Sequence, residues 1–316
     1  MKNARWVVLI IFMTWLCGCG PEGYARIDPD GNYAYANPAW SPDSKQIAYT
    51  RCELYDQEKG RKAPGCEVFV MDAATRQTKQ LTNNIFYDGQ PTWSPDGQQI
   101  VYRREEAFLT DNIQLITDSL RLVRVDGSHD SELYQCLHAC NLPAWSPAGD
   151  QIVFQMAVSS TLDAGSETPA NLYLIRSDGS DLRALTQGAE SVWRPRWSAD
   201  GTQIVFRRNA DQPLRVIDVA SRQETAFDLK DVRGADEPIF TPDRSGIVFA
   251  AYGAAQGKRL YRLNLSDGSI GLLLNAADDY PPDMKEPDWS PDGTQIVFSS
   301  FYEKLYTAEW DKTRLK

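Results

Sequence analysis

Side chains able to carry acid–base or metal chemistry are few in this sequence and badly spaced for it. The two histidines, His129 and His138, stand apart, and a metal site normally needs three or four ligands at short spacing. The acidic pairs Glu105–Glu106 and Asp278–Asp279 occupy adjacent positions, from which two carboxylates rarely reach one substrate. No G-x-S-x-G motif marks a nucleophile. We therefore expect no catalytic residues, no metal site and no enzymatic activity.

Arginine and aromatic side chains favour binding over catalysis, because they supply many hot spots of protein interfaces. In this sequence the aromatic residues fall between repeated segments, and the arginines fall at the ends of strand-like runs. The candidate binding residues are Arg51, Phe86, Tyr87, Arg103, Arg104, Trp193, Arg207 and Tyr280. For each residue alone, edge packing or a solvated charge is the alternative role, so the hypothesis of a binding site depends on the whole set.

The elements that position these side chains are defined by an internal repeat. A twelve-residue phrase occurs at 38–49, 91–102, 143–154, 195–206, 238–249 and 287–298. Its last copy, PDWSPDGTQIVF, predicts a short strand, a tight turn at Pro-Asp-Gly, and a second strand rich in β-branched and aromatic residues. Two further strand-like runs follow each complete copy. Four antiparallel strands every 43 to 53 residues are typical of one blade of a β-propeller.

The aromatic residue of each phrase is expected to pack between neighbouring blades. These residues are Trp40, Trp93, Trp145, Trp197, Phe240 and Trp289. The phrases resemble the WSPDG-type repeats of the TolB family of propellers over nearly all of the chain after residue 22. TolB proper carries an α/β domain ahead of its propeller, and only a short segment precedes the first phrase here. The resemblance therefore implies the fold, without implying TolB's own role and partners.

Ring closure follows from a count of the strands. The sixth copy reaches only a third strand before the sequence ends, and the run GYARID at 23–28 has no blade of its own. We expect this run to supply the missing outer strand, which would leave no open sheet edge at the seam. The prediction is thus an all-β fold, a six-bladed β-propeller of four-stranded antiparallel blades over residues 23–316.

The first residues read as a targeting segment. Lys2 and Arg5 precede an apolar run at 6–17 that is too short for a ~30 Å hydrocarbon core and is typical of a signal peptide. The run Leu-Cys-Gly-Cys at 16–19 resembles a bacterial lipobox, which implies lipidation of Cys19. We expect a lipoprotein signal peptide at 1–18 and a lipidated cysteine with a short tether at 19–22. Ordinary cleavage with an unmodified Cys19 is the alternative.

Four cysteines remain after the targeting segment. They are Cys52, Cys66, Cys136 and Cys140. Export implies an oxidising compartment, where an even set of cysteines is typical of disulfides. Three pairings are open, and the repeat favours Cys52 with Cys66 and Cys136 with Cys140.

Charge and loop lengths indicate the class of partner. The formal net charge of −10 argues against nucleic acid. In a propeller the second-to-third-strand loops and the inter-blade loops emerge on one face, and here they are the long ones. We expect a monomeric, lipid-anchored envelope protein that lies on the periplasmic side of the outer membrane or at the cell surface. It would bind a protein or peptide through this face. A carbohydrate-binding or carbohydrate-processing propeller is the alternative. No cofactor is expected. A calcium ion in the propeller channel is an alternative, although the sequence indicates no set of ligands for it.

Overall fold

A computed structural model describes residues 24–28, 33–53, 65–110, 113–158, 169–188, 190–209, 214–229, 232–253, 257–273, 283–300 and 304–310. Every regular element in these ranges is a β-strand, as the all-β prediction requires. The described ranges accordingly hold no helix of the length and apolarity needed to cross a bilayer. The predicted signal peptide, Cys19 with its tether, and Tyr280 lie outside them.

The strands fall into groups that follow the repeat. Group 1 contains β2 (Tyr33–Trp40), β3 (Gln46–Glu53), β4 (Cys66–Asp72) and β5 (Thr78–Gln80). Group 2 contains β6 (Tyr87–Trp93), β7 (Gln99–Thr110), β8 (Ile113–Arg124) and β9 (Ser131–Gln135). Group 3 contains β10 (Cys140–Trp145), β11 (Gln151–Ala157), β12 (Ala170–Arg176) and β13 (Arg183–Ala184).

The second half of the chain continues the pattern. Group 4 contains β14 (Val192–Trp197), β15 (Gln203–Arg208), β16 (Leu214–Asp218) and β17 (Glu224–Phe227). Group 5 contains β18 (Arg233–Phe240), β19 (Gly246–Tyr252), β20 (Lys258–Asn264) and β21 (Ile270–Leu272). Group 6 contains β22 (Lys285–Trp289), β23 (Gln295–Ser299) and β24 (Leu305–Glu309), together with β1 (Tyr24–Arg26).

The groups form a propeller-like arrangement of antiparallel four-stranded sheets. Groups 3, 4, 5 and 6 are separate sheets, whereas groups 1 and 2 belong to one eight-stranded sheet. A single parallel pairing of Cys66 with Tyr87 joins them, because β4 and β6 approach closely there. Within the described ranges the hydrogen-bonded sheets therefore number five, because groups 1 and 2 share one sheet.

The strand predicted at 23–28 pairs with the end of the chain. β1 runs antiparallel to β24, with Ala25 opposite Thr307. The backbone N–H of Ile27 then donates to the carbonyl oxygen of Leu305 at 2.9 Å. The first and last described strands are thus neighbours in one sheet.

Each copy of the repeated phrase folds as a strand, a tight turn and a strand. In the first copy the Ser41 hydroxyl donates to Asp43 at 2.6 Å and accepts the backbone N–H of Gln46 at 2.8 Å, which ties the turn to the next strand. Ser94, Ser198 and Ser290 make the same pair of bonds. These short polar side chains compete well for turn backbone, which explains their place after the aromatic anchor.

The core consists of apolar clusters, each shared between two successive groups. Trp93 of group 2, for example, packs against Ala39 and Val70 of group 1, and its indole N–H donates to the carbonyl oxygen of Ala39 at 3.0 Å. Trp40 of group 1 packs in the same way with Val297 and Leu305 of group 6. The prediction that the repeated tryptophans pack between blades is confirmed at these positions.

The first strands of the groups lie next to one another around a common axis. β2, β6, β10, β14, β18 and β22 contact each other in this order, and β22 also contacts β2. The tight turns of the repeat lie at one end of these strands. The connections that lead into the first strands lie at the other end. We call the second end the loop face.

Candidate functional site

Every first strand carries a β-bulge immediately around the proline of the repeat. The register of the first and second strands shifts there in each of the described groups. The residue before the proline has a positive φ between 50° and 59° in every case. These residues, which we call the bulge ring, are Asn37, Gln90, Leu142, Arg194, Glu237 and Glu286. A bulge accommodates the missing proline N–H and re-aims the neighbouring side chain.

Side chains of the bulge ring bridge neighbouring groups. The Glu286 carboxylate accepts the backbone N–H of Asn37 at 2.7 Å and its side-chain amide at 2.9 Å. The Glu237 carboxylate accepts the backbone N–H of Glu286. The Gln90 side-chain oxygen accepts the backbone N–H of Leu142 at 2.6 Å. The ring thus satisfies backbone groups that the bulges remove from the strand ladders.

A charged cluster occupies one side of the bulge ring. The Arg194 guanidinium lies 3.2 Å from a Glu237 oxygen and 3.7 Å from a Glu286 oxygen. Burial raises the pKa of the Glu237 carboxyl; Arg194 opposes this rise and Glu286 adds to it. For Arg194, the two carboxylates outweigh burial and raise the pKa of its guanidinium. The cluster therefore places titratable groups in a poorly solvated position, where each charge strongly affects the pKa of its neighbours.

A second pair of charges lies two residues further along the strands. The Asp288 carboxylate accepts the backbone N–H of Trp40 at 2.7 Å. Burial raises the pKa of Asp288 to about 6, against the opposing effects of this hydrogen bond and of Arg196. Burial also lowers the pKa of Arg196. Both side chains are half-buried, and both belong to first strands.

The first candidate pair at the loop face is Arg103 with Tyr87. The Arg103 guanidinium donates to Asp118 at 2.7 Å and to Glu105 at 2.5 Å, and lies 5.5 Å from the centre of the Tyr87 ring. Burial raises the pKa of the Tyr87 hydroxyl, and Arg103 opposes this. The ion pairs fix the arginine beside the ring, so both side chains are preorganised.

The second candidate pair is Arg207 with Trp193. The guanidinium lies 5.9 Å from the centre of the indole ring and 3.4 Å from an Asp236 carboxylate oxygen. Asp236 also lies 3.6 Å from the Lys258 ammonium group. Arg207 and Trp193 face each other across the register of β14 and β15. This pair repeats the arginine–aromatic arrangement of Arg103 and Tyr87 two groups further along.

The other predicted residues that the structure describes make different contacts. Arg104 is buried and makes two 2.7 Å bonds to Asp88, with the Phe86 ring centre 5.9 Å away. The Arg51 guanidinium lies between Tyr33 and Phe69, at 4.0 and 3.9 Å from the ring centres. The structure therefore gathers Tyr87, Arg103, Trp193 and Arg207 as loop-face pairs, and gives Arg104 and Phe86 a packing role.

Sequence reasoning missed the bulge ring and the charges beside it. The available signal was a polar residue directly before a repeated proline, within a strand that should be apolar. Asn37, Gln90, Arg194, Glu237 and Glu286 all carry that signal. A single copy does not reveal it, because a polar residue before proline is common in loops.

Both predicted disulfides are present on the loop face. Cys52 bonds Cys66 at the start of the connection between β3 and β4, and Cys136 bonds Cys140 between β9 and β10. They hold the ends of these connections together, which preorganises the surface around the arginine–aromatic pairs. Within the described ranges, no group of three or more His, Cys, Asp and Glu side chains could hold a metal ion.

Comparison with known proteins finds relatives of several kinds. An uncharacterized protein of Agrobacterium fabrum is 27% identical over 172 residues, which cover 54% of this chain and 53% of that protein. The Tol-Pal system protein TolB of Francisella tularensis is 24% identical over 69% of this chain and 46% of TolB. The uncharacterized peptidase YuxL of Bacillus subtilis is 24% identical over 66% of this chain and 29% of the peptidase. The chain spans about half the length, or less, of these curated relatives.

Solved structures show the same mixture. TolB from Acinetobacter baumannii superposes with a TM-score of 0.61 at 14% identity, over 85% of this chain and 65% of TolB. An oligogalacturonate lyase in complex with manganese gives 0.59 at 17% identity, over 90% of this chain and 79% of the lyase. No protein-family model matches the chain. The chain thus has TolB-like propeller homologues and their fold, while peptidases and a lyase share that fold.

Proposed function

We propose that this chain, with its TolB-like homologues and propeller-like fold, is a non-catalytic binding module of the cell envelope. It engages a protein or peptide through the loop face. The observation that carries the proposal is the pair of preorganised arginine–aromatic contacts, Tyr87 with Arg103 and Trp193 with Arg207, beside the charged cluster at Arg194. Such side chains supply binding energy at little entropic cost when their conformations are already fixed.

The proposed architecture is a closed ring of six blades, with groups 1 and 2 as separate blades. The cyclic contacts of the first strands support it. The tight turns support it as well, because Asp292 of group 6 donates its backbone N–H to the Ser44 hydroxyl of group 1 at 3.3 Å. The parallel pairing at Cys66 is then a local contact between blades.

The proposed location is the envelope, with a lipid anchor at Cys19. The lipobox-like run at 16–19 supports this location, and so does the similarity to the Tol-Pal system protein TolB. Two disulfides also suit an oxidising compartment. Radiolabelled palmitate incorporation that disappears in Cys19→Ala is the expected result; incorporation that survives the substitution would refute lipidation at this residue.

The binding proposal is tested by affinity capture of envelope proteins with three forms of the chain. Wild type is compared with Trp193→Ala/Arg207→Ala and with Leu182→Ala, a control for an exposed residue between β12 and β13 at the opposite end. We expect a partner that wild type and the control retain and that the double variant loses by at least about tenfold in affinity, since two hot-spot residues at about 1 kcal/mol or more each are removed.

Circular dichroism must show the same fold in all three forms. Capture of the same partner by the folded double variant, at unchanged affinity, would contradict the proposed face. Loss from the control as well would place the binding site elsewhere.

The alternative is a carbohydrate-binding or carbohydrate-processing propeller. The half-buried Trp193 and Tyr87 rings favour it, because aromatic faces beside arginines suit acidic sugars. Calorimetry with oligogalacturonates distinguishes the two functions. Saturable binding that Trp193→Ala abolishes would support the carbohydrate function, and chain shortening of the sugar would further show that the protein is an enzyme.

A further inference from the structure

The hairpin of β7 and β8 extends beyond the sheet that carries it. The two strands pair with each other from Gln99 opposite Arg124 to Thr110 opposite Ile113. The pairing of β6 with β7 stops at Glu105, and that of β8 with β9 stops at Ser119. Residues 106–110 and 113–117, which we call the ribbon, therefore pair only with each other in the described part of the chain.

The outer edge of β8 in the ribbon carries backbone groups that no described strand pairs. The backbone N–H of Cys136 donates to the carbonyl oxygen of Asp118 at 2.9 Å, so Asp118 directs its backbone groups away from β7. Because successive residues of a strand alternate, Ile116 and Gln114 direct their N–H and C=O groups the same way. The pairing of β9 with this edge ends at Gln135 opposite Ser119, followed only by the Cys136 bond. Among the described residues, these two donors and two acceptors have no backbone partner and are open to another strand.

This edge lacks the features that normally prevent strand pairing. Residues 113–117 read IQLIT and include no charge and no proline. Exposed edges in native proteins usually carry lysine, proline or a bulge. Ile116 is 55% exposed, and Leu137, two residues after the end of β9, is 75% exposed. A two-stranded ribbon of this kind gains stability when a further strand joins it.

We propose that the ribbon pairs with the ribbon of a second copy of this chain. With a two-fold axis at Leu115, the backbone groups of Gln114 in one protomer meet those of Ile116 in its partner. Each of these two opposed residue pairs then exchanges two N–H···O=C hydrogen bonds. All four open backbone groups of each edge are thereby paired. No charged residue of 113–117 faces another across the axis. The two short edges match in length because both end at Asp118.

The dimer goes beyond the proposed partner binding and differs from the monomer expected from the sequence. It uses no residue of the arginine–aromatic pairs, so the two proposals stand or fall separately. The buried area of such an edge contact is small compared with the standard ~1,600 Å² interface, so the dimer is concentration-dependent.

Analytical ultracentrifugation of the purified protein between about 1 and 500 µM tests the proposal. We expect a monomer–dimer equilibrium in wild type and at least about a tenfold larger dissociation constant in Ile116→Lys, because a lysine on the edge opposes strand pairing. The matched control is Ala107→Lys in β7, because the backbone of Ala107 faces the other edge of the ribbon. This variant should dimerise as wild type does.

Cysteine cross-linking locates the axis. The non-hydrogen-bonded pair at the axis has Cα atoms about 4.5 Å apart, within reach of a disulfide. Leu115→Cys should form a covalent dimer under mild oxidation, whereas Leu109→Cys and wild type should not. A chain that stays monomeric at every concentration and does not cross-link through Leu115→Cys would overturn the proposal. Equal cross-linking through both introduced cysteines, or unaltered dimerisation of I116K, would overturn it as well.

Discussion

Consecutive arginines in this chain have different roles because neighbouring side chains of a strand point to opposite sides. Arg103 is held beside Tyr87 at the loop face, whereas Arg104 is buried with both of its 2.7 Å bonds on Asp88. Arg207 and Arg208 divide in the same way, since Arg208 is buried against Glu224 at 2.6 Å. Each buried arginine is held by its carboxylate, and loss of either partner would leave an uncompensated buried charge.

At the residue scale, Asp288 makes stability depend on pH. Burial raises its pKa from an ordinary value near 3.9 to about 6 in the folded chain. Between these values the folded state binds more protons than the unfolded state, so its stability decreases as pH rises from about 4 to 6 and then levels off. The size of this contribution is roughly 2–3 kcal/mol.

Asp288→Asn removes that titration and keeps an oxygen for the Trp40 N–H. We expect the free energy of unfolding of the variant, relative to wild type, to rise by about 2 kcal/mol between pH 4 and pH 7. Guanidinium unfolding at both pH values measures it. An offset between variant and wild type that is equal at both pH values would contradict the raised pKa.

At the element scale, the tight turns depend on a left-handed backbone position. Gly97 has a φ of +68° in the turn between β6 and β7 and lies beside Pro42 of the neighbouring turn. Gly97→Ala should lower the free energy of unfolding by about 1–2 kcal/mol, because an L-residue is strained there. Gly271→Ala is the control, since Gly271 in β21 has open space around it and no positive φ. Thermal unfolding should separate the two; equal losses would mean that backbone strain is not the cause.

The repeated phrase made most elements predictable, and the bulges mark where prediction stopped. The turn at Ser94–Gly97 and the strand after it follow from local chemistry, because serine, aspartate and glycine each favour that turn. The positive φ of Glu237 does not follow from local chemistry, because the bulge that imposes it depends on pairing with β19. Tyr87, Arg103, Trp193 and Arg207 are candidates from the sequence, but their arrangement in pairs and their separation from Arg104 needed the strand register.

At the scale of the whole molecule, the non-covalent pairing of β1 with β24 joins the first and last described strands. Ile27 is buried among Trp40, Val297 and Leu305, so this strand also belongs to the apolar cluster between groups 6 and 1. Without it, β24 would present an open edge. A local contact of three residue pairs thereby supports two groups that are far apart in sequence.

A pair of proline substitutions in β1 tests this closure. The Ile27 N–H donates to Leu305, so by alternation the backbone of Ala25 also faces β24 and that of Arg26 faces away. Ala25→Pro removes a ladder hydrogen bond, whereas Arg26→Pro leaves the ladder intact. We expect Ala25→Pro to destabilise the protein by about 2 kcal/mol more than Arg26→Pro does, as measured by guanidinium unfolding. We also expect Ala25→Pro alone to increase hydrogen exchange of Thr307. Equal effects of the two prolines would show that β1 lies against the sheet without closing it.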